Sequence, residues 1–205
     1  MSTPEERIKE LARKNAIGEA DAERLLASVK PPPLVGTGGF DPFVRWSAGA
    51  LAVAGLLASA GAAAMMGLGV RFPGVLDVVS AKNGLDVRTV VVDQLAAFPL
   101  TAAVFWIAGR VLSRGVRPID MLATVGLARV PSVVCAIPVA LLDTSTLVGK
   151  AAISLVLVGL AAQVYLLVIG FRTATGASGG RLAAGFVGAI VGAEVLAKIV
   201  ISFAH

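Results

Sequence analysis

The sequence predicts an all-α membrane protein: a polytopic bundle of five transmembrane helices preceded by a cytoplasmic two-helix hairpin. Hydrophobic residues make up 57% of the 205-residue chain and charged residues 15%, which leaves too little polar surface for a soluble domain of this size. Five apolar stretches each approach the ~20 residues that a spanning helix needs. These stretches cover residues 46–70, 89–113, 119–142, 148–170 and 182–203.

The bilayer decides the secondary structure of these stretches. Lipid offers no hydrogen-bond partner to a bare peptide group, so each stretch is expected to be a helix. The strict polar and apolar alternation of barrel strands is absent. The chain therefore divides into a helical hairpin at 1–30, a Pro/Gly linker at 31–45 and a five-span domain at 46–205.

The N-terminal segment has the pattern of a helical hairpin. Thr3-Pro4-Glu5-Glu6 forms a capping box with proline at the first helical position. It resembles the short hairpins that bacterial membrane and envelope proteins often carry at one end, which implies association with a protein partner or with itself. A hairpin lying against its own membrane domain is the alternative. The apolar faces of the two helices consist of Ile8, Leu11 and Ala12, and of Ala22, Leu25, Leu26 and Val29.

The distribution of basic residues predicts the orientation. Of the 18 Lys and Arg residues, 12 lie in segments on one side of the predicted membrane and four on the other. The positive-inside rule then places the N-terminus in the cytoplasm and His205 outside. This topology also accounts for the net charge of +5. Since no basic stripe with interleaved aromatic residues occurs, the lipid bilayer is the expected partner and nucleic acid is not.

Enzymatic motifs are missing from the sequence. It contains no GxxxxGK[ST] phosphate loop and no HExxH zinc motif. The single histidine is His205, and the single cysteine, Cys135, lies inside an apolar stretch, where it is expected to be a small packing residue. We therefore predict a non-enzymatic protein with no cofactor and no metal site.

Small residues recur at helical spacing in two spans. Such rows let helix backbones approach closely in lipid, and we favour packing within the bundle over a homodimer face. The rows are Gly55, Ser59, Ala63 and Gly67 in the first span, and Ala184, Gly188 and Gly192 in the fifth.

Charged residues inside the spans are the main functional clue. An ionised group at mid-membrane costs at least ~2.5 kcal/mol, so each is expected to face the interior and find a partner. Arg129 and Glu194 lie at nearly the same depth, which predicts that they pair. A proton or substrate pathway is one interpretation, but we favour a buried network that fixes packing, because the spans show no internal repeat. The predicted network comprises Arg129, Glu194, Lys198 and Asp93, with Gln94 at its outer end and Gln163 extending it inward.

Three short motifs carry a resemblance to a known family. They are Phe72-Pro73-Gly74-Val75-Leu76-Asp77, Arg117-Pro118-Ile119-Asp120 and Leu127-Ala128-Arg129-Val130-Pro131. With five spans after a cytoplasmic region, residues 40–205 resemble bacterial members of the Yip (Ypt-interacting protein) family. Eukaryotic members organise vesicle membranes and bind prenylated small GTPases through an acidic motif containing proline and tyrosine. Here Gly39-Phe40-Asp41-Pro42-Phe43 stands in its place, so GTPase binding is not implied.

The resemblance implies a location and a role. It implies a multi-pass protein of the bacterial cytoplasmic (inner) membrane, and a non-catalytic scaffold or accessory subunit of a membrane transport or envelope complex. The alternative function is a small proton-coupled carrier or channel that uses intramembrane Glu194, Arg129 and Lys198.

Overall fold

The computed structural model describes residues 4–14, 16–18, 21–23, 25–26, 42–80, 86–142 and 146–204. Most of these residues are helical. Five helices in this part of the chain are long and apolar enough to cross a membrane, which confirms the five predicted spans. In chain order the spans are Ala48–Met66, Val87–Leu112, Pro118–Leu141, Leu147–Thr175 and Gly179–Ala204.

The chain divides into two compact units, Met1–Val44 and Arg45–His205. The first unit contains a helix at Pro4–Arg13 and helical backbone at 21–23 and 25–26. A short helix, Pro42–Arg45, precedes the first span. The predicted capping box begins at Thr3 and the linker lies mostly at 31–41, outside the described residues. The hairpin therefore stays a prediction.

The bounds of the first span follow from its end groups. The Ser47 hydroxyl accepts a hydrogen bond from the Ala50 amide at 3.2 Å and starts the helix. The chain leaves the helix at Gly67 and turns at Gly69, whose φ of 86° suits a residue without a side chain. Strand β1, Val70–Arg71, then pairs antiparallel with β2, Val79–Ser80. The span is thus shorter than predicted, because its last apolar residue belongs to a strand.

The second span changes its helical winding midway. Residues Ala96–Leu100 form a π-helical turn that contains Pro99, whose ring nitrogen has no proton to donate. The Thr101 hydroxyl donates to the Ala96 carbonyl at 3.1 Å, which satisfies one of the backbone acceptors of this turn. The remainder of the span, Thr101–Leu112, is regular α-helix.

The third span lies at the centre of the bundle and packs along the first and fourth spans. The second span contacts the third and the fifth, whereas the fourth and fifth spans contact each other little. The first and third spans meet at two glycines, since a Cβ built on Gly55 would lie 2.3 Å from the Gly126 Cα. Gly159 of the fourth span is also close to the third span, since a Cβ there would lie 2.8 Å from the Cys135 Cβ and 2.9 Å from the Pro131 carbonyl.

The two predicted rows of small residues are only partly the packing faces. Gly55 is a contact residue, but the buried face of the first span continues through Ala58 and Ala62, while Gly67 is exposed. In the fifth span the predicted packing within the bundle is wrong, because Ala184 and Gly188 are exposed and only Gly192 is half-buried, near Val104; the alternative of a homodimer face stays a prediction. The residues that this span buries instead are Phe186, Ala189, Ala193 and Ala197.

Two apolar clusters form the core. One brings together Phe105, Phe171 and Phe186 of the second, fourth and fifth spans, with ring centroids 5.6 to 6.2 Å apart. The other lies between the first and third spans and includes Met65 and Val133.

Candidate functional site

The segment after the first span enters the bundle instead of covering its end. We call residues 70–77 the inserted loop. Its side chains Val70, Phe72 and Val75 are 3 to 4% exposed. Phe72 belongs to the cluster of the first and third spans, and Val75 belongs to the cluster around the three phenylalanines. The inserted loop therefore connects the two apolar clusters of the core.

Two polar side chains of the spans bind the backbone of the inserted loop. Gln163 Nε2 donates to the Val75 carbonyl, and the Leu76 amide donates to Glu194 Oε1 at 2.8 Å. Gln163 lies 16 residues from Leu147 at the start of the fourth span, and Glu194 ten residues from Ala204 at the end of the fifth. At a rise of 1.5 Å per residue these positions are roughly 15 to 25 Å from the helix ends. Irregular backbone at this depth must have its polar groups satisfied by protein, and these side chains supply that.

Gly74 allows the close approach of the inserted loop to the fifth span. A Cβ built on Gly74 would lie 2.6 Å from Glu194 Oε2 and 3.1 Å from Oε1. No real Cβ makes so short a contact, so with a larger residue at position 74 the Glu194 carboxylate would have to move.

The charged end of the inserted loop pairs with the second span. Arg71 Nε donates to Asp93 Oδ2 at 2.8 Å, and a second guanidinium nitrogen donates to Oδ1 at 3.0 Å. The Asp93 side chain is completely buried, and that of Arg71 is 21% exposed. This two-pronged geometry is the strongest form of an arginine–carboxylate pair.

A weaker ion pair lies at the other end of the inserted loop. Lys198 Nζ lies 3.7 Å from Asp77 Oδ2, with side-chain exposures of 69% and 40%. An exposed pair at this distance contributes little stability. It nevertheless shows that Lys198 also faces the inserted loop.

Arg129 has a different partner from the one predicted. Arg129 is 3% exposed, and its guanidinium donates to Gln94 Oε1 at 3.2 Å. Gln94 in turn donates to the Met66 sulfur at 3.6 Å, so it joins the first, second and third spans. Within the described residues, Arg129 Nη1 is buried without a hydrogen-bond partner, as is the Ser59 hydroxyl.

The predicted ion pair between Arg129 and Glu194 is therefore wrong. The two residues were placed at a common depth from their positions in parallel spans, but depth does not fix the direction in which a side chain points. Glu194 faces the inserted loop, and Arg129 faces Gln94. Four of the six predicted network residues contact the inserted loop, and the other two bind each other. The four are Asp93, Gln163, Glu194 and Lys198.

The sequence analysis gave Arg71 no role, and it named Gly74 and Asp77 only as members of a short motif. A usable signal was present, because the segment from Val70 to Val79 is apolar for a connection between two spans. Apolar side chains in a loop predict burial in protein or lipid. If this segment is buried, its charged side chains need partners. Asp93 is the carboxylate within a span that lies nearest to it in the sequence.

Comparisons of the chain with family models, curated proteins and solved structures gave no match.

Proposed function

We propose that this protein is a non-catalytic integral membrane scaffold or accessory subunit of a membrane transport or envelope complex. One observation carries the proposal: polar side chains inside the spans bind the protein's own inserted loop. Gln163, Glu194 and Asp93 each have a loop partner, and together they fix the fold. The resemblance to bacterial Yip-family proteins, some of which look like accessory subunits of membrane transport complexes, supports the same role.

The proposal includes a location and an orientation. We place the chain in the bacterial inner membrane with a cytoplasmic N-terminus, on the basis of its 12-to-4 division of basic residues. A reporter after His205 should then be external, and one inserted between Arg110 and Arg117 should be cytoplasmic. A cytoplasmic signal from the C-terminal reporter would contradict this orientation.

A proton-coupled carrier using Glu194, Arg129 and Lys198 is the second candidate. The observation in its favour is that Glu194 has no basic side chain within 4 Å among the described residues, so its charge is held by one backbone amide. Charged residues inside membrane spans often mark ion pathways. The structural role of the same residue weighs against this function.

Reconstitution separates the two candidates. Purified protein in liposomes under a pH gradient should give the same proton flux as empty liposomes, and Glu194→Gln should not change it. The melting temperature of the Glu194→Gln protein in detergent should be lower than that of the unaltered protein, because an amide accepts the Leu76 hydrogen bond less strongly than a carboxylate does. A proton flux that is present with the unaltered protein and absent with Glu194→Gln, at an unchanged melting temperature, would favour the carrier.

The predicted partner site is the N-terminal segment. Deletion of residues 1–33 should leave a monodisperse membrane domain that loses association with itself or with a co-purifying protein. If the truncated protein keeps the same partner and oligomeric state as the full chain, assembly does not depend on this segment.

A further inference from the structure

One end of the bundle concentrates arginine. The loop between the second and third spans and the loop between the fourth and fifth spans lie at this end. Together residues 110–120 and 172–182 contain five arginines and one carboxylate, Asp120. That carboxylate is bound by Arg117 at 2.7 Å. The other arginines are Arg110, Arg114, Arg172 and Arg181, all of them exposed.

Two of these arginines are held against the same short loop. Arg110 Nη1 donates to the Arg114 carbonyl, and Arg181 Nη2 donates to the Leu112 carbonyl at 3.3 Å. The fifth span thereby brings the Arg181 guanidinium to the end of the second span, although Arg181 and Leu112 lie 69 positions apart. Each bond uses one of five guanidinium donors, so most donors stay available to a ligand.

Apolar surface adjoins the charged groups. Val111, next to Arg110, is 81% exposed, and Ile107, one turn further into the span, is 59% exposed. Trp106 donates its indole N–H to the Val116 carbonyl at 3.3 Å, a position typical of residues at a membrane interface. A ligand at this surface meets guanidinium groups at one end and aliphatic side chains at the other.

We propose that Arg110, Arg114 and Arg181 form a binding site for the phosphate headgroup of an anionic phospholipid, with its acyl chain along Val111 and Ile107. Phosphate accepts paired hydrogen bonds from guanidinium groups, and basic clusters at the ends of membrane helices recruit anionic lipids. This inference does not depend on the scaffold function, since either candidate function is compatible with it.

Native mass spectrometry tests the site. Delipidated full-length protein in a mild detergent is mixed with equal amounts of phosphatidylglycerol and phosphatidylcholine, and the bound lipids are counted. Each arginine near an anionic surface contributes ~1 kcal/mol, a factor of about five. Arg110→Gln combined with Arg181→Gln should therefore lower phosphatidylglycerol binding at least ~10-fold and leave phosphatidylcholine binding unchanged.

A control of equal charge comes from the other end of the bundle. Arg88→Gln with Lys150→Gln also removes two exposed positive charges, and it should alter phosphatidylglycerol binding by less than about twofold. Equal losses in the two double variants would overturn the proposal, because binding would then follow net charge. Displacement of the lipid by millimolar inorganic phosphate would also overturn it, because the site would then take free phosphate.

Loss of folding in the first double variant is checked by its melting curve. If that variant unfolds, Arg114→Gln replaces it, because the Arg114 guanidinium makes no hydrogen bond within the described part of the chain. This substitution alone should reduce phosphatidylglycerol binding about fivefold. Unchanged binding in a folded Arg114→Gln protein would overturn the proposal.

Discussion

Asp93 illustrates how a carboxylate is accommodated inside this bundle. Its side chain is completely buried, and a charge in such a place is tolerated only when it is paired and fully hydrogen-bonded. Arg71 fulfils both conditions with two bonds to the two carboxylate oxygens. The partner comes from a loop, so the pair fixes the loop as well as neutralising the charge.

Removing the two partners of this pair should have unequal effects. Arg71→Gln leaves a buried carboxylate alone and is expected to cost about 3 kcal/mol, the lower end of the range for broken buried pairs. Asp93→Asn should cost less, because the partly exposed Arg71 guanidinium can still reach solvent. Denaturant-dependent unfolding in detergent measures both. An equal or larger cost for Asp93→Asn would contradict this description of the pair.

Arg129 presents the opposite situation. It is also buried but donates to a neutral amide, and one guanidinium nitrogen has no partner among the described residues. A buried charge with a single neutral partner destabilises a membrane protein. Arg129 should therefore lower the free energy of unfolding, whereas a residue in an ion pair should raise it.

Arg129→Met is expected to leave thermal stability in detergent unchanged or to raise it. Methionine fills a comparable volume and removes the unpaired donor, and such replacements of buried charges are often neutral or stabilising by ~1 to 4 kcal/mol. Leu127→Met, two residues away on the same span, serves as a control for changed packing. A loss of about 3 kcal/mol or more in Arg129→Met would indicate an anionic partner and restore the ion-pair hypothesis.

At the scale of helices, the closest contact is between Gly55 and Gly126 of the first and third spans. Gly55→Ala or Gly126→Ala places a methyl group against backbone atoms that cannot rotate away. Overpacking of this kind typically costs ~1 to 3 kcal/mol. Gly188→Ala is the matched control, because a Cβ there meets nothing within 4 Å, and it should be neutral or slightly stabilising. Equal melting temperatures for the three variants would show that the two spans do not meet at these glycines.

The spans were predictable because hydropathy and length report directly on the bilayer. Their ends agree with the structure to within a few residues, except where a local signal intervenes. The apolar pattern places Val70 in the first span, but the helix ends at Gly67 and the chain turns at Gly69. In the fourth span the helix continues past the predicted limit to Thr175, where Gly176 ends it with a φ of 64°.

The lateral arrangement of the spans was much harder to predict. The positions of Glu194 and Arg129 along their helices give depth, but partners also depend on helix rotation and on segments between the spans. Small residues were ambiguous for a related reason: at 3.6 residues per turn, Gly188 and Ala189 lie on neighbouring faces, and only packing shows which face is buried.

For the whole molecule, the inserted loop explains why two neighbouring spans stay apart. The fourth and fifth spans contact each other little, yet Gln163 of one and Glu194 of the other bind adjacent residues of the same loop. The phenylalanine cluster joins the same two spans elsewhere. The inserted loop therefore separates the fourth and fifth spans, and the polar residues of the spans hold it in place.

Thiol labelling tests this central claim most directly. In detergent-solubilised Cys135→Ser protein, Val75→Cys should react with a water-soluble maleimide at least ~10-fold more slowly than Val79→Cys, because residue 75 is 4% exposed and residue 79 is 42% exposed. Adding Gln163→Ala and Glu194→Ala should bring the Val75→Cys rate close to that of Val79→Cys. Equal labelling rates for the two cysteines before those additions would contradict the insertion of the loop into the bundle.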